Sequence, residues 1–338
     1  MMNRIYPYLV SAIILLMITA ILASCMPRSV ITVPVQTRTL HLGHPAPADT
    51  AFDILAHRIK DYVETKSDGR YNVIIYSDAT LGHQDMLIEA MIAGTVDLAI
   101  VNSAVLASYA GDLGVLDLPF LFSDWDDVND FLHSDAVSEF YATTDDAGIS
   151  TLAFMPRGFR HVINNRGPIN ELSDFQDLTI RVMNNEVFID TFTALGAKPV
   201  IIPWEETIAA IAEERVCGKE NTIVTINDYE FYRYQKYLSL TGHFFAFAVV
   251  MASPITMDSI PVEDQELIRQ AAFDAALSVG AEQLALENDA LDNLRSNGML
   301  INDVPNKQAF VDMMNPVYDN FFKLHGRDYY DLIKSSIR

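Results

Sequence analysis

Positive charge is scarce in this chain. Its 338 residues include 23 lysines and arginines against 45 aspartates and glutamates, a formal net charge of -22 at pH 7. Nucleic acid phosphates would be repelled by such a surface, so the composition argues against a nucleic acid partner. An anionic small molecule remains compatible with it, because a few local arginines can reverse the field inside a cleft. An arginine that binds an anion should therefore stand out.

Cysteine is equally scarce, with only Cys25 and Cys217 in the sequence. If Cys25 carries a lipid, no disulfide can form within the mature chain. The fold must then depend on its hydrophobic core. Half of the residues are hydrophobic, which is enough for a sizeable core. An isolated Cys217 is more typical of a small packed residue than of a nucleophile.

Recognisable catalytic and metal-binding motifs are missing. The sequence has no G-x-S-x-G, no G-x-x-x-x-G-K-[ST] and no H-E-x-x-H. The eight histidines fit no standard metal-ligand spacing. We therefore expect no catalytic residue, no metal site, no cofactor and no enzymatic activity.

The first 25 residues have the layout of a targeting segment. Arg4 marks a short basic region, LVSAIILLMITAIL follows, and Leu-Ala-Ser-Cys ends the segment at Cys25. That ending resembles the bacterial lipobox, whose cysteine is acylated. The alternative is an uncleaved membrane anchor, but an apolar run of about 15 residues falls short of the ~20 that a spanning helix needs. We expect a lipoprotein signal peptide at 1–24, lipid on Cys25 and a tether at 25–37.

Apolar strands alternate with amphipathic helices in the next part of the chain. Strands are predicted at 39–43, 71–76 and 96–101, with a helix in each interval. This order is typical of a parallel sheet flanked by helices, whose ligands bind beyond the carboxyl ends of the strands. His44 and Asn102 follow the first and third strands, and both are candidate ligand-binding residues, although either could be an ordinary loop residue.

A second α/β unit follows. Segments 150–155, 161–165, 178–182 and 198–202 have strand-like patterns. The helical pattern at 264–298 is longer than a usual globular helix, which leaves two stacked helices or one helix that bridges two domains.

Arg181 is conspicuous in the strand LTIRV. Leu178, Ile180 and Val182 alternate with more polar residues, which places the arginine in or near a covered sheet. A buried guanidinium needs a carboxylate partner, because an unpaired buried charge is very costly. The strand pattern alone favours an internal salt bridge over a ligand as that partner.

Five segments resemble the solute-binding proteins of tripartite ATP-independent periplasmic (TRAP) transporters, the DctP-like family, in order and spacing. They are TLGHQDMLIEAMIAGTVDLAI, LASYAGDLGVLDLPFLF, RGFRHVINNRGPI with LTIRV, LGAKPVIIPWEET, and GKEN with FYRYQKYLSLTGH. The resemblance covers nearly all of residues 38–338. It implies an α/β, two-lobed periplasmic-binding-protein-like fold with a long bridging helix. Such a receptor works outside the cytoplasm, closes on a small organic acid and delivers it to the TRAP permease subunits in the membrane.

The resemblance also implies site residues. In this family the arginine of the Ile-Arg-Val strand, here Arg181, contacts the ligand carboxylate with two prongs, a geometry that lysine cannot reproduce. Arg160 matches a second arginine near the site, Asn221 an asparagine that can donate to the ligand, and Trp204 a usual aromatic position. Glu220, beside Asn221, completes the predicted ligand-binding set. The resemblance thus favours a ligand as the partner of Arg181.

One departure from the family pattern changes the local charge. The family commonly reads Asp-Gly-Gln-Glu-Asn where this chain has Cys-Gly-Lys-Glu-Asn at 217–221. Losing the aspartate and gaining Lys219 puts the specificity of the site in doubt, though not the class of protein.

The predicted lobes are discontinuous. Lobe 1 comprises 38–158 and about 246–285, and lobe 2 comprises 159–245 and about 286–338. Two rival functions remain open from the sequence. One is a lipid-anchored binding protein for an ATP-driven transporter or a sensor, and the other is a lipid-anchored hydrolase.

Overall fold

The computed structural model describes residues 37–337. The predicted signal peptide, Cys25 and the tether up to residue 36 lie outside them. Within the described part of the chain, no helix combines the length and apolar character needed to cross a membrane.

The strands predicted from apolar runs are present as β1 (Arg38–Gly43), β2 (Tyr71–Tyr76), β3 (Leu98–Asn102), β4 (Ser150–Asn164), β5 (Thr179–Val182) and β6 (Lys198–Ile201). Three further strands were not predicted: β7 (Gly218–Thr222), β8 (Tyr237–Ala252) and β9 (Leu300–Asp303). Within residues 37–337, these nine strands form one sheet. Its order is β2-β1-β3-β8-β4-β7-β5-β6, and β9 pairs with β8. We call the part built on β1, β2 and β3 the first half, and the part built on β5, β6 and β7 the second half. Strands pair in parallel within each half.

Helices cover the sheet. They are α1 (Ala51–Lys66), α2 (Gln84–Ile92), α3 (Ser103–Leu106), α4 (Trp125–Leu132), α5 (Ala136–Ala142), α6 (Glu186–Ala194), α7 (Thr207–Ala212), α8 (Ile223–Asp228), α9 (Pro254–Asp258), α10 (Val262–Ser296), α11 (Lys307–Val311), α12 (Asn315–His325) and α13 (Asp328–Ser336). Short 3-10 turns at Gly111–Asp117, Trp204–Glu206 and Phe231–Arg233 join some of these elements.

Two long antiparallel strands connect the halves. β8 pairs with β3 through residues 248–252 and with β9 through residues 237–240. β4 pairs with β8 along most of its length and with β7 through residues 160–164. The register between β4 and β8 shifts at three points. The two segments predicted at 150–155 and 161–165 form one continuous strand that these shifts make irregular.

The long helical pattern forms one helix of 35 residues, α10, and not two stacked helices. It packs on α1 in the first half, on β4, and on α8 in the second half. Its buried face is rich in small residues, among them Ala271, Ala275 and Val279, which lets the backbone approach the sheet closely. The predicted bridging helix is therefore confirmed.

At Gly280, helix α10 lies close against Pro156 of β4. A Cβ atom there would lie 2.6 Å from Cδ of Pro156 and 3.1 Å from the Pro156 carbonyl oxygen. We expect Gly280→Ala to destabilise the protein by about 1–3 kcal/mol through overpacking, although alanine alone would favour the helix by roughly 1 kcal/mol. Urea unfolding measures this change. Gly167→Ala is the control, because no neighbouring atom lies within 4 Å of the position that its methyl group would take; equal stability of the two variants would contradict the close approach.

Candidate functional site

A cavity lies between the two halves, at the carboxyl ends of their strands. It encloses about 630 Å³ of space not occupied by protein atoms, part of it open to solvent. Ala46 and Asn102 line it from the first half, and Arg181, Trp204 and Asn221 line it from the second. The edge of the sheet predicted to bind a ligand is thus the edge that carries the cavity.

Arg181 is buried at the wall of this cavity, with 2% of its surface exposed. Its Nε donates a hydrogen bond to the carbonyl oxygen of Ile202 at 2.8 Å. Among residues 37–337 it forms no ion pair with a carboxylate within 4.0 Å. Burial lowers the pKa of Arg181 to about 10, which leaves it charged at neutral pH. The internal salt bridge favoured by the strand pattern is therefore not formed by the described chain, and the ligand contact stays a prediction.

Arg160 lines the cavity too, but it already has a carboxylate partner. Its Nε donates to Oε2 of Glu220, and its terminal nitrogen donates to Oε1 at 2.8 Å. Both side chains are buried. Burial alone would raise the pKa of Glu220, but the Arg160 guanidinium outweighs burial and holds that pKa well below its usual range. Glu220 is not among the residues that line the cavity, and its carboxylate pairs with Arg160 behind the cavity wall.

Asn221 and Trp204 present polar and aromatic surface to the cavity. Oδ1 of Asn221 accepts a hydrogen bond from the backbone N–H of Thr222 at 2.9 Å. Within residues 37–337 its amide NH2 has no protein acceptor, and it is available for donation. The Trp204 ring meets Tyr229 edge-on, with ring centroids 4.8 Å apart, and the guanidinium carbon of Arg181 lies 6.0 Å from the Trp204 centroid.

Asn102 lines the cavity through a network that the sequence did not reveal. Oε1 of Gln84 accepts from both the backbone N–H and the side-chain amide of Asn102, at 2.7 and 2.9 Å. Oδ1 of Asn102 accepts from Arg157, whose other terminal nitrogen donates to Oγ1 of Thr225 at 2.8 Å. Gln84, Arg157 and Thr225 all line the cavity. This network joins the first half to the second.

Arg157 was missed although it lies in the same RGFR segment as Arg160. On a regular strand, residues three apart point to opposite faces. The register shift between Pro156 and Gly158 makes Arg157 the extra residue of a bulge, and it therefore reaches the same cavity as Arg160. The sequence shows two arginines three residues apart, but it does not show the bulge that brings both to the cavity.

His44, a predicted ligand-binding residue, lies away from the cavity lining. Its side chain is fully buried and does not line the cavity, whereas the next residues, Pro45 and Ala46, do. Its Nε2 lies 3.3 Å from Oδ1 of Asp53 on α1. Burial lowers the pKa of His44, and the nearby Asp53 only partly offsets this effect. The side chain therefore packs the loop after β1 against α1, and it is not part of the cavity lining.

Most of the chain matches one protein family. Residues 42–324 match the family model described as "Bacterial extracellular solute-binding protein, family 7". A curated relative, a solute-binding protein of Verminephrobacter eiseniae, is 30% identical over 274 residues, which cover 81% of this chain and 82% of the relative.

The fold of this chain is similar to that of several solved structures. A TRAP periplasmic solute-binding protein of Bordetella bronchispeptica, with density assigned to pantoate, gives a TM-score of 0.85 at 28% identity and covers 90% of this chain and 100% of its own. One from a Polaromonas species, bound to D-erythronate, gives a TM-score of 0.84 at 27% identity, with coverage of 88% and 98%. The predicted α/β, two-lobed fold class is confirmed by these similarities.

Proposed function

This chain belongs to family 7 of the bacterial extracellular solute-binding proteins, and we propose that it is the receptor that binds a small organic acid through Arg181. The observation that carries the proposal is a buried guanidinium at a cavity wall, with no carboxylate partner in the described chain. A carboxylate ligand completes this site with two parallel hydrogen bonds. The family consists of solute-binding receptors rather than enzymes, and the chemistry required of the cavity is recognition alone.

Short hydroxy acids are the ligands that we propose first. Pantoate and D-erythronate, named for the two related structures, each carry one carboxylate and several hydroxyl groups. Arg181 would take the carboxylate. Asn221 and Gln84 could bond to hydroxyl groups, while Trp204 would cover one side of the ligand. The related TRAP proteins also favour delivery to TRAP permease subunits over an ATP-driven transporter.

A thermal-shift screen tests this function. Pantoate, D-erythronate, succinate and D-galacturonate should be compared with the uncharged sugar alcohol erythritol, which matches D-erythronate without its carboxylate. An acid at 100 times its Kd should stabilise the protein by about 2.7 kcal/mol. The same acid should reduce the radius of gyration in small-angle scattering, because two lobes close on their ligand. Stabilisation by erythritol as strong as by the acid would refute carboxylate recognition.

We propose that the two lobes, with the boundaries predicted from the sequence, move as separate bodies. In support, β4 and β8 pass between the halves where Gly158 pairs with Ala246, close to the predicted limits at 158 and 246. Residues 286–338 join lobe 2 through β9, but their last helix, α13, packs on α4 and α5 of lobe 1. We propose that this helix moves with lobe 1 although its neighbours in the sequence belong to lobe 2.

Lipid on Cys25 is the proposed means of retention at the membrane, where the permease subunits lie. One acyl chain binds a protein to a bilayer reversibly, and two acyl chains anchor it stably. We expect Cys25→Ser to release or misprocess the protein, as measured by membrane fractionation, while Cys217→Ser leaves retention unchanged. Full retention of Cys25→Ser with an intact N-terminal segment would show that the segment is a plain helical anchor.

A further inference from the structure

Lys219 is a buried amine without a hydrogen-bond partner. It lies on β7 directly opposite Arg181 on β5, and none of its surface is exposed. No acceptor in the described chain contacts its Nζ. The nitrogen lies 4.1 Å from the ring centroid of Phe231 and 4.5 Å from that of Trp204. Aromatic faces stabilise an ammonium ion, but they do not replace the hydrogen bonds that it makes in water.

Positive charges surround this amine. Arg181 acts on it from β5, and Arg160 and Arg157 act on it from β4, while the rings beside it carry no charge. Glu220, on β7 itself, is the acid that opposes them, but its carboxylate is paired with Arg160. Burial first, and Arg181 second, hold the pKa of Lys219 well below its usual value of 10.5. The empty receptor therefore disfavours the charged form of this amine.

We propose that Lys219 takes up a proton when an anionic solute binds at Arg181, so that the receptor binds the anion and a proton together. The inference rests on the proposed function. A carboxylate at Arg181 cancels the charge that most directly opposes an ammonium on the neighbouring strand. The proton comes from the solvent and attaches to the Nζ lone pair, and the ammonium then lies between the Trp204 and Phe231 rings. Trp204 contacts both cations and lines the cavity, which makes it the shared boundary of the two sites.

Proton uptake has a definite sign for affinity. A complex that binds one more proton than the free receptor loses affinity as the pH rises, by up to tenfold per pH unit. The loss occurs between the pKa of Lys219 in the empty receptor and its higher pKa in the complex. Pantoate and D-erythronate are carboxylic acids that are fully ionised near pH 7.5, so the ligand itself contributes no proton.

Isothermal titration calorimetry in two buffers measures the proton directly. D-Erythronate, or pantoate if it binds more tightly, would be titrated at pH 7.5 in phosphate and in Tris, whose ionisation enthalpies differ widely. We expect wild type to give different binding enthalpies in the two buffers, corresponding to uptake of a substantial fraction of one proton. Lys219→Met keeps the length and apolar stem but cannot titrate, and it should give equal enthalpies.

Asp228 is the necessary control, because it also lines the cavity and burial raises its pKa. Whatever its affinity for the acid, Asp228→Asn should retain the proton uptake per molecule of acid bound, because it keeps Lys219. Equal enthalpies in both buffers for wild type would overturn the inference, as would uptake that persists in Lys219→Met. If that variant fails to fold, Lys219→Gln replaces it, and equal wild-type enthalpies would still refute the inference without any variant. Binding without proton uptake refutes only this inference, whereas failure of every acid to bind refutes the proposed receptor function as well.

Discussion

Replacing Arg181 with lysine should weaken acid binding by roughly two to four orders of magnitude while the empty protein stays folded. Loss of one member of a buried ion pair costs about 3–5 kcal/mol, and each 1.4 kcal/mol is about tenfold in affinity. Lysine keeps the positive charge but loses the planar fork and the hydrogen bond that Nε of Arg181 donates to Ile202. Calorimetric titration of the best ligand gives the change in affinity.

Arg215→Lys is the matched control. That arginine is 44% exposed at its side chain and pairs with Glu206 and Glu213 at the surface, where an ion pair is worth only about 0–1 kcal/mol. It should leave both binding and stability nearly unchanged. If Arg181→Lys melts early when empty but keeps the full ligand-induced shift, Arg181 is a structural residue and the site assignment is wrong.

Replacing Glu220 with glutamine should destabilise the empty protein by about 3–5 kcal/mol, because it leaves Arg160 buried without a counter-charge. Since folding lowers the pKa of Glu220, the carboxylate contributes its stability above the pKa of an unfolded glutamate and loses it at lower pH. The difference between wild type and Glu220→Gln should therefore shrink below about pH 4. Urea unfolding at pH 7 and pH 3.5 measures both effects.

Glu282→Gln provides the comparison for this variant. Glu282 pairs with Arg58, and their side chains are 47% and 35% exposed, so its loss should cost no more than about 1 kcal/mol. A Glu220→Gln variant as stable as Glu282→Gln would show that the buried pair contributes little beyond its own desolvation cost.

The sequence predicted elements whose pattern is local. The strand at residues 71–76 and the long helix were found because apolar spacing depends on neighbouring residues. Asn102 lines the cavity at the edge of the sheet that the strand order singled out. Arg181 and Asn221 line it too, but they were named from the family resemblance and not from a local pattern.

Features that depend on distant parts of the chain were not predictable. The bulge that brings Arg157 to the cavity is set by the pairing of β4 with β8, about 90 residues later. His44 follows β1 as predicted, yet its contact with Asp53 on α1 turns it away from the cavity. Lys219 was recognised as a change of charge, but its burial behind Trp204 and Phe231 depends on tertiary packing.

The sharing of β8 between the two halves also bears on how the chain folds. β3 of the first half has only β1 as a sheet neighbour until residues 248–252 are in place. β9 and the end of β4, which carries β7, need residues 237–240 of the same strand. About three-quarters of the polypeptide must therefore exist before either sheet region is complete. Contacts between residues so far apart in sequence slow folding, because loop-closure entropy is lost before native pairing compensates for it. During synthesis, a long nascent chain should thus remain without stable tertiary structure, and both lobes should acquire it late and in a single cooperative step.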